Sequence, residues 1–225
     1  WPQLVRSEVL SIAPCIGMHP APLPKRRGGA PLNWQIIDGE TESAVSLLRL
    51  GEGVDNGDIL IQIPFNIGPA DYINDVMDRV CELTGLAVER TYPLLATGRE
   101  AWNPQDHSQA TVTRRRRPPD GLVNWNDSSR RIFNLIRAVS HPFPGAFTHC
   151  DGQVIKVWRA YVPLGYRPRV RAVPGEVLDF VGGAIIVCTR DYCLGLTEIQ
   201  VDDRVYLSEP ELRQAYAMLA GKVLG

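Results

Sequence analysis

Residues 14–31 carry five prolines (Pro14, Pro20, Pro22, Pro24, Pro31) and three glycines (Gly17, Gly28, Gly29). No other feature limits the chain as much. Proline fixes φ and lacks an N–H, and glycine admits unusual backbone angles, so this segment is expected to be irregular. Loops that must hold one shape are common places for function. Regular patterns flank it. Residues 1–13 read as a short helix, with Val5, Val9 and Ile12 near helical spacing and Leu4 and Leu10 beside them. Residues 31–38 read as a helix ended by Gly39. The apolar runs 44–50 and 58–63 read as strands, joined by a tight loop with glycines at 51, 53 and 57. Asp71 is placed to cap a helix whose stripe is Ile73, Val76, Met77 and Val80.

Composition shifts at 103–121, where polar and basic residues collect, including Arg114–Arg117, before Pro118-Pro119. This stretch reads as a linker. Beyond it, Asp127 or Ser128 is placed to cap a helix carrying Ile132, Leu135, Ile136 and Val139. Short apolar runs at 154–162, 184–189 and 194–200, punctuated by Pro174-Gly175 and Gly182-Gly183, suggest a small β-barrel. The expected layout is an α/β part over 1–117, linker included, and a mostly β module over 118–225.

Hydrophobic residues make up 44% of the 225, and the net charge of −1 gives no global argument for nucleic acid or an anionic membrane as partner. Five scattered cysteines (15, 81, 150, 188, 193) form no C-x-x-C pair. A reducing, cytoplasmic setting without disulfides or zinc is expected. Cys188 and Cys193 read as small core residues on neighbouring strands. His107, His141 and His149 show no metal-ligand spacing. No apolar stretch reaches the ~20 residues of a membrane span.

Taken singly, a loop histidine (His19) and an aspartate in a glycine turn (Asp55) say little. Their context says more. His19-Pro-Ala-Pro-Leu-Pro-Lys-Arg-Arg-Gly leads to Trp34, then Gly39-Glu40, then Glu52-Gly-Val-Asp-Asn-Gly-Asp-Ile-Leu60. In order and spacing this resembles the signature of the formyltransferases that use 10-formyltetrahydrofolate. Arg117-Pro-Pro-Asp-Gly, Pro142-Phe-Pro-Gly-Ala-Phe147, Lys156-Val-Trp158 and Pro174-Gly-Glu-Val177 resemble landmarks of the family's C-terminal, OB-like domain. The resemblance implies a Rossmann-like catalytic domain, represented incompletely, followed by that barrel. Trp1 opens directly into the patterned segment, so it also implies further sequence upstream that supplies central strands and part of the folate pocket.

The implied chemistry is attack of a primary amine on the formyl carbon of 10-formyltetrahydrofolate, without a metal. The resemblance assigns His19 to the oxyanion and to proton movement, and Asp55 to holding His19 and favouring its charged form. It assigns Leu50, Gly51, Glu52, Gly53, Val54 and Asp55 to the folate pocket. Two positions depart from the pattern. The family's Asn, two residues before the histidine, is Gly17, and the Ser after His-Pro is Ala21. One lost oxyanion donor costs about 10²–10³ in rate. For the acceptor, Ala30–Gln35, Gly39–Glu42 and Arg137–Phe147 resemble the formyltransferase domain acting on UDP-4-amino-4-deoxy-L-arabinose, so a nucleotide-linked amino sugar comes first. Methionyl-tRNA is second, with Arg114–Arg117 its local support. A catalytically inactive binding module, motivated by Gly17, is third.

Overall fold

The computed structural model describes residues 5–167 and 172–225. It falls into two compact units. The first comprises 1–35, 40–71 and 75–116, and the second comprises 36–39, 72–74 and 117–225.

The first unit opens with a single helical turn, α1 (Ser7–Leu10), much shorter than the helix expected over 1–13. Leu4 of that expected helix lies outside the described residues. Strand β1 (Ile16–His19) follows, then a two-residue strand, β2 (Arg27–Gly28). The expectation of irregular backbone throughout 14–31 is thus corrected. No proline lies between Pro14 and Pro20, so residues 16–19 keep every N–H and pair antiparallel with β3 (Glu42–Arg49). Helix α2 (Pro31–Asp38) lies between β2 and β3, with Pro31 at its start, where a missing N–H costs nothing. Strand β4 (Ile59–Asn66) pairs antiparallel with β3 and forms the outer edge of the order β1-β3-β4. That edge position accommodates Pro64. Helix α3 (Ile73–Ala96) buries Ile73, Val76 and Val80 as its stripe predicts. Further along, Ala87 packs with Leu47, Leu60 and Ile63 of the sheet.

The linker reading of 103–121 also needs correction. Strand β5 (Val112–Thr113) runs parallel to β2. The Arg27 and Gly29 N–H groups donate to the carbonyls of Thr111 and Thr113, each at 2.9 Å. Gln105 and Thr113 are buried. Arg114 and Arg116 lie over the Trp34 ring, whose Nε1–H donates to the Arg114 carbonyl at 2.7 Å. Polarity misleads at Gln105 and Thr113, whose buried side chains serve neighbouring backbone groups, whereas Arg114, Arg115 and Arg117 stay exposed.

In the second unit, α4 (Ser129–Val139) starts at Ser128, whose hydroxyl accepts the Arg131 N–H at 3.3 Å. Its expected stripe is buried at Ile132, Ile136 and Val139, and Phe133, Asn134 and Arg137 are buried too. A six-stranded antiparallel sheet follows, made of β6 (Ala146–Cys150), β7 (Gln153–Tyr161), β8 (Val177–Val181), β9 (Ala184–Cys188), β10 (Cys193–Val201) and β11 (Arg204–Tyr206). The order is β6-β7-β10-β9-β8, with β11 on β10. Cys188 and Cys193 face each other across β9 and β10. Helix α5 (Glu209–Leu219) lies against β8–β11. The C-terminal segment closes the sheet into a barrel. Val177 N–H donates to the Lys222 carbonyl and Leu224 N–H to the Gly175 carbonyl, on the β8 side. Gly225 exchanges two 3.0 Å bonds with His149 of β6.

Candidate active site

Strand alternation puts Gly17 and His19 on one side of β1, opposite Leu48 and Ser46 of β3. His19 is only 4% exposed. Its Nε2 lies 2.8 Å from the Arg26 carbonyl. A carbonyl can only accept, so Nε2 carries the hydrogen and donates it. The other ring nitrogen, Nδ1, lies 3.4 Å from Asp55 Oδ2. Asp55 comes from the β3–β4 loop, and the same Oδ2 accepts the Gly28 N–H at 2.8 Å. The two residues singled out from the sequence therefore meet, and β2 joins them.

The backbone here is held in unusual conformations. Arg26, Ala30 and Asp55 have φ of 61°, 51° and 45°, a region that side chains other than glycine rarely occupy. Such strain persists where surrounding contacts over-determine it. Arg26 N–H donates to Thr111 Oγ1 at 2.9 Å, and its guanidinium bonds Glu40. Gly28 has φ of 96°, and a Cβ there would stand 2.4 Å from the Thr113 carbonyl. Only glycine lets β2 lie this close to β5 while turning its N–H to Asp55. Arg26 and Glu40 also wall an open cleft of about 670 Å³, with Lys25, Glu42, Ser43 and Thr111.

Gly17 stands where the resembled signature has Asn, and a Cβ there would lie 2.4 Å from Leu50 Cδ2. The end of the leucine side chain would have to turn aside before a side chain fits there. Leu50 N–H is held by the Cys15 carbonyl at 2.8 Å. Along the loop, Glu52 and Val54 are exposed, and Gly51, Gly53 and Asp55 are half-buried. The backbone is open at Gly51, where an added Cβ meets nothing nearer than Asn56 Oδ1 at 3.8 Å. Gly53 is already covered, since an added Cβ would lie 2.2 Å from Asn56 Nδ2. Among the described residues, no group of three or more His, Cys, Asp and Glu side chains is gathered to hold a metal, and no helix is long and apolar enough to cross a membrane.

Sequence reading missed a buried pair next to Asp55. Arg27 donates through Nε and Nη2 to Gln105 Oε1, at 3.2 and 2.6 Å. Gln105 Nε2 donates to the carbonyls of Asp55 and Gly57, at 2.9 and 2.6 Å. Nothing in the polar run around Gln105 marks it as buried. Only the irregular partner it serves, the glycine loop, gives a hint, because such a loop leaves carbonyls unpaired.

Two family descriptions match the chain, "Formyl transferase" over residues 1–90 and "Formyl transferase, C-terminal domain" over 116–215. The methionyl-tRNA formyltransferase of Syntrophus aciditrophicus (strain SB) is 32% identical over 225 residues, which is 99% of this chain and 71% of that protein. Among solved structures, HypX from Aquifex aeolicus in complex with tetrahydrofolic acid superposes with a TM-score of 0.74 at 22% identity. That likeness covers 97% of this chain, and the chain spans 38% of HypX. The N-formyltransferase from Helicobacter canadensis, in complex with folinic acid and dTDP-3-aminofucose, gives 0.62 at 18% identity, over 80% of this chain and 65% of that one. Both structural likenesses speak to the fold. The sequence match across both domains carries the assignment, and the chain belongs to the folate-dependent formyltransferase family.

Proposed function

We propose that this protein transfers a formyl group from 10-formyltetrahydrofolate to the amine of methionyl-tRNA, with His19 and Asp55 as the catalytic pair. The observation that carries the chemistry is the meeting of His19 Nδ1 and Asp55 Oδ2 at 3.4 Å, from segments far apart in sequence. The folate supplies a formyl group already activated on nitrogen. The chain must then stabilise the oxygen on which negative charge develops and move a proton from the attacking amine to the departing nitrogen. His19 Nε2–H is the donor for that oxygen, which takes the place of the Arg26 carbonyl that the ring now serves. Asp55 keeps the ring oriented through Nδ1, as a carboxylate does in other acid–base pairs. The loop Leu50–Asp55 receives the pteridine, most closely at Gly51. Catalysis is assigned to residues 1–117.

Methionyl-tRNA leads because the similarity to the Syntrophus aciditrophicus enzyme spans both domains at 32% identity. A second reading, a nucleotide-linked amino sugar of the UDP-4-amino-4-deoxy-L-arabinose type, rests on the local motifs Ala30–Gln35 and Arg137–Phe147 and on the near-neutral charge. The test is an assay of the full-length protein, any upstream coding sequence included, with 10-formyltetrahydrofolate as donor and methionyl-tRNA beside a panel of UDP- and dTDP-amino sugars. Formylation of methionyl-tRNA alone is expected. Turnover with a sugar alone replaces the acceptor. Silence with every acceptor, in folded protein that still binds tetrahydrofolate, overturns the catalytic reading and leaves a binding module.

A further inference from the structure

We infer that Gln105, working with Arg27, is a positioning residue that sets the place of Asp55 and the folate loop; the inference rests on His19 and Asp55 being the catalytic pair. Gln105 is 6% exposed and Arg27 8%, and both spend their polar atoms on the site. The Gln105 amide N–H groups reach two carbonyls of one loop, those of Asp55 and Gly57. Its oxygen takes both Nε and Nη2 of Arg27, the residue preceding Gly28, whose N–H holds the Asp55 carboxylate. Asp55 is thereby held at both ends, by its side chain through Gly28 and by its carbonyl through Gln105, and a single side chain ties the two holders together.

The demand for such a tie is visible in the backbone. Asp55 has φ of 45° and Arg26 φ of 61°, so neither conformation is self-supporting. Gly57 lies so close to Arg49 that an added Cβ would stand 1.9 Å from the Arg49 carbonyl. In this form of the loop, Gln105 supplies donors to the carbonyls of Asp55 and Gly57. On the other side of Arg27, Nη2 lies 3.0 Å from His107 Nδ1. A guanidinium can only donate, so His107 accepts and holds the arginine in its plane. None of these side chains reaches a reacting atom. Their effect on catalysis runs through the position of Asp55 and the loop surface at Gly51.

The informative substitution is Gln105→Glu. It preserves size and the Arg27 pairing, and it sets an acceptor against two carbonyls in place of a donor. With 10-formyltetrahydrofolate and a working acceptor, kcat/KM for the folate is expected to fall about 10²-fold, the cost of a misplacement near 1 Å. The folate KM should rise and the acceptor KM should stay, while Tm falls by a few degrees as two carbonyls lose their donor and the protein stays folded at the assay temperature. Amide exchange at residues 51–57 should speed up. Unchanged folate KM with unchanged exchange overturns the inference, and so does a loss of activity that only tracks the unfolded fraction. If the parent protein is silent with every acceptor, the proposed function fails on its own; the exchange rates and the tetrahydrofolate affinity of parent and variant then still decide this inference. Should Gln105→Glu fail to fold, Arg27→Lys, which keeps the charge and loses the fork onto Oε1, is read by the same measurements and the same criteria.

Discussion

Leu50 fills the space beside Gly17, and this has a consequence at the scale of single residues. Adding the amide alone, Gly17→Asn, drives it into the leucine side chain, 2.4 Å from where Cβ would stand. Activity is therefore expected to gain little from that change. Gly17→Asn combined with Leu50→Ala opens the volume and supplies a second oxyanion donor. Relative to Leu50→Ala alone, kcat is expected to rise about 10²–10³-fold, the usual worth of one such donor. Equal rates for the double and single variants would show that the amide does not reach the reacting oxygen. The cysteines allow a simpler test. Burial, and next the neighbouring Cys188, push the Cys193 thiol up to about 12, and burial also raises Cys188 and Cys150. Reagents that need the thiolate should modify exposed Cys81 in native protein at mild alkaline pH and spare those three. Mass mapping of labelled peptides reads the outcome, and labelled native Cys193 would contradict the burial.

At the scale of elements, α4 has a second cap besides Ser128. Asp191 Oδ1 accepts the Ser129 N–H at 2.7 Å and the Thr189 hydroxyl at 3.2 Å. Burial works to raise this carboxyl, but the hydrogen bonds from Ser129 and Thr189 together outweigh it and hold it below its usual value. A depressed folded value means that the stabilisation is complete above the unfolded carboxylate value of about 3.9. It is lost as pH falls through the lower folded value. Asp191→Ala should cost about 1 kcal/mol near neutral pH, and the gap to the parent should close in acid. Urea titrations at several pH values test both statements, and a gap that persists in acid would contradict them. Much at this scale was legible in advance. The helices at 31–38, 71 onward and 128 onward, and the strands near 44–50, 58–63, 154–162, 184–189 and 194–200, follow from apolar periodicity and capping residues. Strand β1 was hidden because the prolines around it dominate composition, although residues 16–19 contain none. Strand β5 and Gln105 were hidden because polar residues were read as solvated. Strands β6, β8 and β11 are too short or too mixed in pattern for alternation to stand out.

At the scale of the whole molecule, the C-terminal segment joins the two ends of the second unit's sheet. Residues 221–225 bond to Gly175 and Val177 on one side and to His149 on the other, and Leu224 is 2% exposed. Removing residues 222–225 should reopen the barrel and lower stability by about 2–5 kcal/mol, as for other losses of a buried leucine. Tm should fall by several degrees, and an unchanged melt would show the closure to be dispensable. The candidate site differs from the fold in what made it readable. His19 and Asp55 were visible through motif context, since neither periodicity nor charge singles them out, and the carbonyl and amide partners that orient them appear only in three dimensions. The most direct test of the account is therefore the rate of formyl transfer from 10-formyltetrahydrofolate by His19→Ala and Asp55→Asn, beside the parent protein with its preferred acceptor. Both variants are expected to lose at least about 10²-fold in kcat while keeping the parent's fold and melting behaviour. Parental turnover in either variant would contradict the assignment of this pair as the catalytic centre.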